Sequence, residues 1–237
     1  MSKTLTLNGQ LISAREGESI LEAARDAGIH IPTLCHMEGV GSIGACRMCL
    51  VEMAGSGKLV PSCTTKVNEG MEVNTDTPQL REYRKMIVEL IFSERNHVCA
   101  VCVANGNCEL QDLAIHVGMD HVRYDYLYPA EKVDLSHPMF GMDHNRCILC
   151  TRCVRTCDEI EGAHVWDITA RGIKSHTITG LAEPWGDVPS CTSCGKCVMS
   201  CPTGAIFKKG ATVAEMQKDR DKLSFLKTAR ERREWNS

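Results

Sequence analysis

No charge of one sign dominates this chain. Lys plus Arg number 27 against 30 for Asp plus Glu, a formal net charge of -3, which argues against a protein that coats nucleic acid. The N-terminus, MSKTLTLNGQLISAREGESI, has neither the apolar centre nor the small-residue cleavage site of a signal peptide. Long apolar runs are also missing. The greasiest stretch, Met86 to Phe92, is too short to span a bilayer and is interrupted by Glu89. A cytoplasmic setting is therefore expected, with membrane contact left open only through partner proteins. Aromatic residues are scarce at 5%, yet hydrophobic residues reach 43% and charged residues 24%, the composition of a folded chain with one large or two to three small domains. No Ser-His-Asp order, paired-carboxylate site or phosphate loop stands out, and no cysteine set of the nickel-binding kind is added.

What is abundant is cysteine, 15 in all. Disulfides are poorly supported in a reducing compartment, and an odd number would leave one thiol unpaired, so metal ligation is the better account. The cysteines fall into four groups: Cys35, Cys46, Cys49 and Cys63; Cys99, Cys102 and Cys108, preceded by His97; Cys147, Cys150, Cys153 and Cys157; and Cys191, Cys194, Cys197 and Cys201. No cysteine is left over, and adding His97 gives four ligands for each of four clusters.

The two C-x2-C-x2-C-x3-C blocks carry the most specific signal. In two-cluster ferredoxins the fourth cysteine of each run ligates the other cluster. That rule pairs Cys147, Cys150 and Cys153 with Cys201, and Cys191, Cys194 and Cys197 with Cys157, each set holding one [4Fe-4S] cluster. Pro202 follows the second run, whereas Asp158 stands at the corresponding place in the first. Zinc sites are the rival reading, although zinc ligands usually come as two separated pairs.

The first group resembles a plant-type [2Fe-2S] arrangement with a longer loop, ten residues rather than four separating Cys35 from Cys46. Zinc is the competitor here too. The glycines of that loop, Gly39, Gly41 and Gly44, spell a dinucleotide fingerprint letter for letter, but no βαβ unit surrounds them, and they read as cluster-loop glycines. His36 is surplus to the ligand count. In the middle group, His97 is the nearest fourth ligand for a [4Fe-4S] cluster, a neutral imidazole raising the potential relative to a thiolate. A cluster lacking one ligand, or a three-iron cluster, is the alternative.

Local patterns suggest an α+β chain. Strands are expected at Thr4 to Leu7 and Leu11 to Ser13 about an Asn8-Gly9 hairpin, and at Met48 to Met53, Leu59 to Val60 and Met71 to Val73. A helix is expected over Ser19 to Ala27, stopped by Gly28. Asp76-Thr77-Pro78 opens another, with Leu80, Tyr83, Ile87, Leu90 and Ile91 as its apolar stripe. A third begins near Cys108, with Leu110, Leu113, Ala114 and Val117 inward and Gly118 at its end. Residues 119 to 146 show no pattern. Val165 to Ile168 and Ser175 to Ile178 are strand candidates about a turn at Gly172, and the cysteine block at 147 recurs at 191, an internal repeat.

The expected layout is thus an N-terminal plant-type ferredoxin-like (β-grasp) domain over 1–78, a helical His/Cys cluster module over 79–118, a connecting segment and bacterial-type two-cluster ferredoxin module over 119–210, and a charged helical tail over 211–237. In that tail Val213, Met216, Leu223 and Leu226 could form an apolar stripe. One [2Fe-2S] and three [4Fe-4S] clusters would bring the loaded chain to a net charge of about -10, suited to partners with basic patches. A chain of this length has an expected radius of gyration of about 18 Å, so four one-electron centres would lie near one another. Such a row reads as a wire between two partners.

The run Cys46-Arg47-Met48-Cys49, the segment Asn96-His97-Val98-Cys99-Ala100-Val101-Cys102, the stretch Asn107-Cys108-Glu109-Leu110-Gln111 and the blocks DHNRCILCTRCVRTCDEIEGAH and SCTSCGKCVMSCPTGAIF carry a resemblance over essentially the whole chain. They are similar to the small iron-sulfur diaphorase subunit of bidirectional NAD(P)-linked [NiFe]-hydrogenases, the cyanobacterial type in particular. They also resemble the N-terminal part of the large iron-sulfur subunit of respiratory complex I and the accessory region of iron-only hydrogenases, which are longer. The resemblance implies an electron-transfer subunit of an oxidoreductase with no complete catalytic site of its own. Its partners would be a flavin subunit that exchanges hydride with NAD(P), a hydrogenase small subunit and, through it, the nickel-iron large subunit; an additional small [2Fe-2S] subunit is admitted. In many relatives a histidine stands where this chain has Arg95, while the His97 spacing is similar to this subfamily. Two other readings stand beside it: the wiring subunit of an NAD-linked formate dehydrogenase or complex I-like enzyme, and a non-redox zinc scaffold.

Overall fold

Asn8 and Gly9 take positive φ angles of 51° and 82°, the backbone a two-residue hairpin demands, and they join β1 (Ser2–Leu7) to β2 (Gln10–Arg15). The computed structural model describes residues 2–211 and Leu223. The chain folds as two compact units interleaved in sequence, one formed by residues 1–36, 42–90 and 113–121, the other by 37–41, 91–112 and 122–237.

In the first unit the hairpin leads to α1 (Ile20–Asp26). Its start is a capping box: the Ser19 side chain accepts from the Glu22 N–H, and the Glu22 carboxylate accepts from the Ser19 N–H at 2.7 Å. β3 (Leu50–Met53), β4 (Leu59–Pro61) and β5 (Met71–Asn74) complete a five-stranded sheet in the order β2-β1-β5-β3-β4. β1 and β5 run parallel, with Leu5 opposite Met71 and Leu7 opposite Val73, and the remaining neighbours are antiparallel. One face is packed by Leu5, Leu7, Ile20, Leu21, Ala23, Ala24 and Val51, all at 0% exposure. Asn8 fastens the hairpin tip to the end of β5, accepting from the Thr75 N–H at 2.8 Å and donating to the Thr75 hydroxyl at 2.7 Å.

Helix α2 (Pro78–Glu94) begins as its sequence signals suggest, with the Thr77 hydroxyl accepting from the Leu80 N–H. Its inward face differs from the expected stripe. Leu80, Arg84 and Val88 are buried, whereas Leu90 is 44% exposed. Arg84 takes the core position because its guanidinium satisfies three backbone carbonyls, Met48, Leu50 and Thr75, at 2.8 to 3.2 Å. The third helix, α3 (Glu109–His116), buries Leu110, Leu113 and Ala114 and ends before Gly118.

The second unit uses shorter elements. β6 (Val133–Asp134), β7 (Phe140–Asp143) and β10 (Ile206–Lys208) form a three-stranded sheet in the order β10-β7-β6, and β8 (Trp166–Thr169) pairs with β9 (His176–Thr179). The strands β6 and β7 fall in the stretch that showed no pattern, since two to four residues are too few to display alternation. Between these strands lie α4 (Arg152–Arg155), continued by a wider turn over Thr156–Glu161, and α5 (Lys196–Ser200). Leu223 is fully buried with Met37, Val40 and Ile160. The rest of the expected apolar tail stripe, Val213, Met216 and Leu226, lies outside the described residues. Among the described residues no helix is long and apolar enough to cross a membrane.

Candidate iron-sulfur sites

The long loop between α1 and β3 brings Cys35 and Cys46 face to face. The Cys35 N–H donates to the Cys46 sulfur at 3.3 Å, and the Cys46 N–H donates back to the Cys35 sulfur at 3.5 Å. Cys49 immediately precedes β3 and Cys63 follows β4, and their sulfurs lie 3.3 Å apart. The hydrogen bond between the two sulfurs draws Cys49 below the ordinary thiol range and holds Cys63 above it. Cys35 interacts electrostatically with both, so the four sulfurs form one group. Arg84 adds a buried cation near Cys49. His36, next to Cys35, is fully engaged elsewhere: Arg25 donates to Nε2 at 3.0 Å, and Nδ1 lies 2.8 Å from the Ser42 hydroxyl.

In the second unit, His97, Cys99, Cys102 and Cys108 line a common cavity with Phe92, Arg146 and Gly204. A short helical turn, Cys99–Val101, carries the first cysteine, and Cys108 immediately precedes α3. The His97 Nε2 is buried and has no hydrogen-bond partner. Burial, assisted by Arg146 and Arg95, lowers its pKa to about 4, so the imidazole is neutral near pH 7 with its lone pair available. Gly204 forms the opposite wall. A Cβ there would lie 2.4 Å from the Cys102 sulfur, so only glycine allows the backbone to pass so close. Arg95 does not join this cavity's lining; it pairs with Glu131 and donates to the Ser175 carbonyl at 3.1 Å.

The repeated blocks show their kinship in the backbone. Leu149 and Thr151 in the first copy, and Ser193 and Gly195 in the second, all have positive φ, between 52° and 71°. These left-handed residues fold each cysteine triplet into a tight wrap, and α4 and α5 start directly after them. Cys157, Cys191, Cys194 and Cys197 line one cavity with Phe140, Trp166 and Trp185. Cys153 lies within electrostatic reach of Cys150, Cys147 and Cys201. Burial pushes the Cys147 thiol up to about 11 and that of Cys150 to about 12, and Cys201 adds to both shifts. Two arginines brace the first block. Arg152, buried, holds Glu109 in a bidentate pair at 2.7 and 2.8 Å, and Arg155 donates to the carbonyls of Cys150 and Gly41.

The donor chemistry fits iron-sulfur cores. Enclosed thiols with raised pKa values become ligating thiolates only where a cationic core compensates their charge. The unpartnered His97 nitrogen beside three cysteines is the kind of orphaned group that a metal would satisfy. Among the described residues no three His, Cys, Asp or Glu side chains converge as the ligands of a single ion would, and the sulfurs of the middle set and of the 157/191/194/197 set rim cavities instead.

Comparison with known proteins agrees with this chemistry. Residues 2–78 match the 2Fe-2S iron-sulfur cluster binding domain, residues 84–123 the NADH-ubiquinone oxidoreductase-G iron-sulfur binding region, and residues 137–207 the ferredoxin-like domain of NADH-quinone oxidoreductase subunit 3. The chain is 33% identical over 210 residues to the HoxS gamma subunit of the NAD-reducing hydrogenase of Cupriavidus necator, covering 88% of each protein. The chain belongs to this iron-sulfur subunit family. The crystal structure of an NAD+-reducing [NiFe]-hydrogenase in the H2-reduced state contains a chain of the same fold, with a TM-score of 0.85, 35% identity and 93% of both chains covered. The alpha subunit of the NADPH-Fe(3+) oxidoreductase of Geobacter sulfurreducens is 36% identical over 206 residues, but the chain spans only about a quarter (24%) of its length. This chain thus has an α+β architecture of ferredoxin-like modules, one of the 2Fe-2S type and others of the 4Fe-4S type.

Proposed function

We propose that this chain is the electron-wiring subunit of an NAD(P)-linked hydrogenase, relaying single electrons between a flavin subunit that exchanges hydride with NAD(P) and a [NiFe]-hydrogenase module. The observation that carries the reading is the match along nearly the full length of both chains to the hydrogenase subunits, over a chain whose sixteen candidate ligands divide into four groups. In this reading Cys35, Cys46, Cys49 and Cys63 hold a [2Fe-2S] cluster in a β-grasp domain. His97, Cys99, Cys102 and Cys108 hold a [4Fe-4S] cluster. The bacterial-type module holds two more, one on Cys147, Cys150, Cys153 and Cys201 and the other on Cys157, Cys191, Cys194 and Cys197. Iron-sulfur cores supply one-electron redox capacity at these places.

The protein's own residues do the remaining work. Arg84 and Arg152 bring buried positive charge toward the sulfurs of Cys49 and Cys150. That charge favours the more negative, reduced state. The neutral His97 lowers the ligand charge of the middle set by one relative to four thiolates. NAD chemistry moves two electrons at a time, so a flavin on a partner subunit must divide them into the single steps that this chain would carry.

Anaerobic purification with iron, sulfide and zinc analysis tests the cluster inventory, expected at about 14 irons and about 14 sulfides per chain. Stoichiometric zinc, or iron persistently near half that value, would reject it. Copurification of the tagged chain from its native cell tests the context. Recovery of a flavin subunit and nickel-iron partners, with hydrogen-dependent NAD(P) reduction lost when this chain is removed, is expected. A molybdenum partner with formate-dependent activity, or a quinone-reducing assembly, would replace the hydrogenase context while leaving the wiring role.

A further inference from the structure

A chain with only three tryptophans places two of them on one cysteine cavity. Trp185 is 1% exposed, and its indole N–H donates to the Cys191 sulfur at 3.3 Å. Trp166, 5% exposed, lines the same cavity. Cys157, a further cysteine of that cavity, accepts the Val165 N–H at 3.3 Å. An indole nitrogen can only donate, so the direction of the Trp185 bond is unambiguous.

The rings are held firmly for this task. Trp185 packs against Trp166 edge-on at 4.8 Å, His137 at 4.7 Å and Phe140 at 5.7 Å. Its backbone N–H donates to the Asp134 carboxylate at 2.8 Å, and the next N–H, of Gly186, donates to the Ser136 hydroxyl at 2.8 Å. Gly186 is required there, because a Cβ would lie 2.5 Å from the Ser136 carbonyl oxygen. His137 itself is fixed by Ser193, a residue of the second cysteine block, at 3.1 Å. The donor geometry is therefore preorganised by β6 and the loop that follows it.

A hydrogen bond from N–H to a ligating thiolate stabilises the reduced state, which carries one more negative charge, more than the oxidised state. In the second block Cys191 receives such a bond from an indole N–H, and Cys157 of the same set receives one from the Val165 N–H. We propose that Trp185 is a redox-positioning residue, whose indole N–H raises the reduction potential of the cluster on Cys157, Cys191, Cys194 and Cys197. This rests on the ligand set assigned above. The step involved is a one-electron reduction, with the electron supplied by the flavin partner or, in the test, by dithionite. The indole proton stays on nitrogen throughout.

The test is a redox titration of the purified holoprotein followed by electron paramagnetic resonance, with iron content measured on every sample. In Trp185→Phe, one four-iron signal should show a three- to tenfold lower reduced-to-oxidised ratio at fixed applied potential, the upper value corresponding to ~59 mV for a one-electron couple. The other signals should not move. Replacing Trp185 by its benzothiophene isostere, which keeps the ring shape but has no N–H, should reproduce the phenylalanine shift; a merely packing role would leave the isostere at the wild-type potential and overturn the proposal. An unchanged potential at full iron content would also overturn it, while the cluster assignment stood. Failure of both variants to load the cluster would overturn it too, because a tuning donor is dispensable for assembly. Absence of this four-iron signal from the wild-type protein would instead reject the ligand assignment itself.

Discussion

Around β1, β5 and α1 the enclosed side chains are mostly aliphatic: Leu5, Leu7, Ile20, Leu21 and Val51 pack together, and two of the region's four cysteines, Cys49 and Cys63, stand among them. Around the paired cysteine blocks the helices are four and five residues long, and Cys153, Cys157, Cys197 and Cys201 stand among the buried residues. A helix of four residues cannot persist by propensity, so its order depends on what its side chains bind. The difference teaches that cysteine is a minor part of one core and a large part of what is enclosed in the other.

The sharpest way to break the comparison is to remove iron. Chelation under reducing conditions should abolish hydrogen-exchange protection across α4, α5 and β10, while the amides of β1 and β5 keep most of theirs. Equal loss in both regions would erase the distinction. Gly204→Ala should act next most strongly and only on the middle site. With a Cβ at 2.4 Å from the Cys102 sulfur, the cavity cannot keep its shape. Iron content should fall by about four per chain, with the remaining signals unchanged.

Within the sheet region, Arg84→Met keeps the length of the side chain but leaves the Met48, Leu50 and Thr75 carbonyls without their shared donor. A loss of about 2–3 kcal/mol is expected in urea denaturation followed on that region. The smallest effect belongs to the capping box of α1. Glu22→Ala should cost about 1 kcal/mol at neutral pH. Burial raises the Glu22 pKa, but the hydrogen bonds with Ser19 outweigh it, and the net value is lowered. With the folded pKa depressed, the carboxylate's contribution is complete above the ordinary range near 4.5 and is lost as pH falls through the folded value. The gap between wild type and Glu22→Ala should therefore narrow on acidification, which denaturation curves across that window would measure. A pH-independent gap would assign the effect to packing instead.

Much of the first region was legible because its rules are local. Asn8-Gly9 dictates a hairpin through positive φ, Ser19 and Glu22 announce a helix start, and Gly28 and Gly118 follow the ends of α1 and α3. Each depends on residues within four positions of one another. The stripe of α2 was not legible, since the preference for Arg84 over Leu90 depends on carbonyls nine to thirty-six residues away. Strands β6 and β7 escaped notice for a related reason: β7 is defined by its pairing with Ile206–Lys208, more than sixty residues later, and four residues carry no period of their own.

The cysteine spacing by itself determined that the chain is built to bind metal at several places, because a C-x2-C-x2-C run can close only around something small, and the repeat at 147 and 191 is visible without coordinates. The environment of each sulfur was decided by tertiary structure. No spacing reveals that Trp185 aims its N–H at Cys191, that the His97 nitrogen is buried without a partner, or that Gly204 backs Cys102. The candidate ligands are recognised by spacing over a few residues, whereas hydrogen bonding, charge and burial around them follow from segments that meet only when the chain is folded.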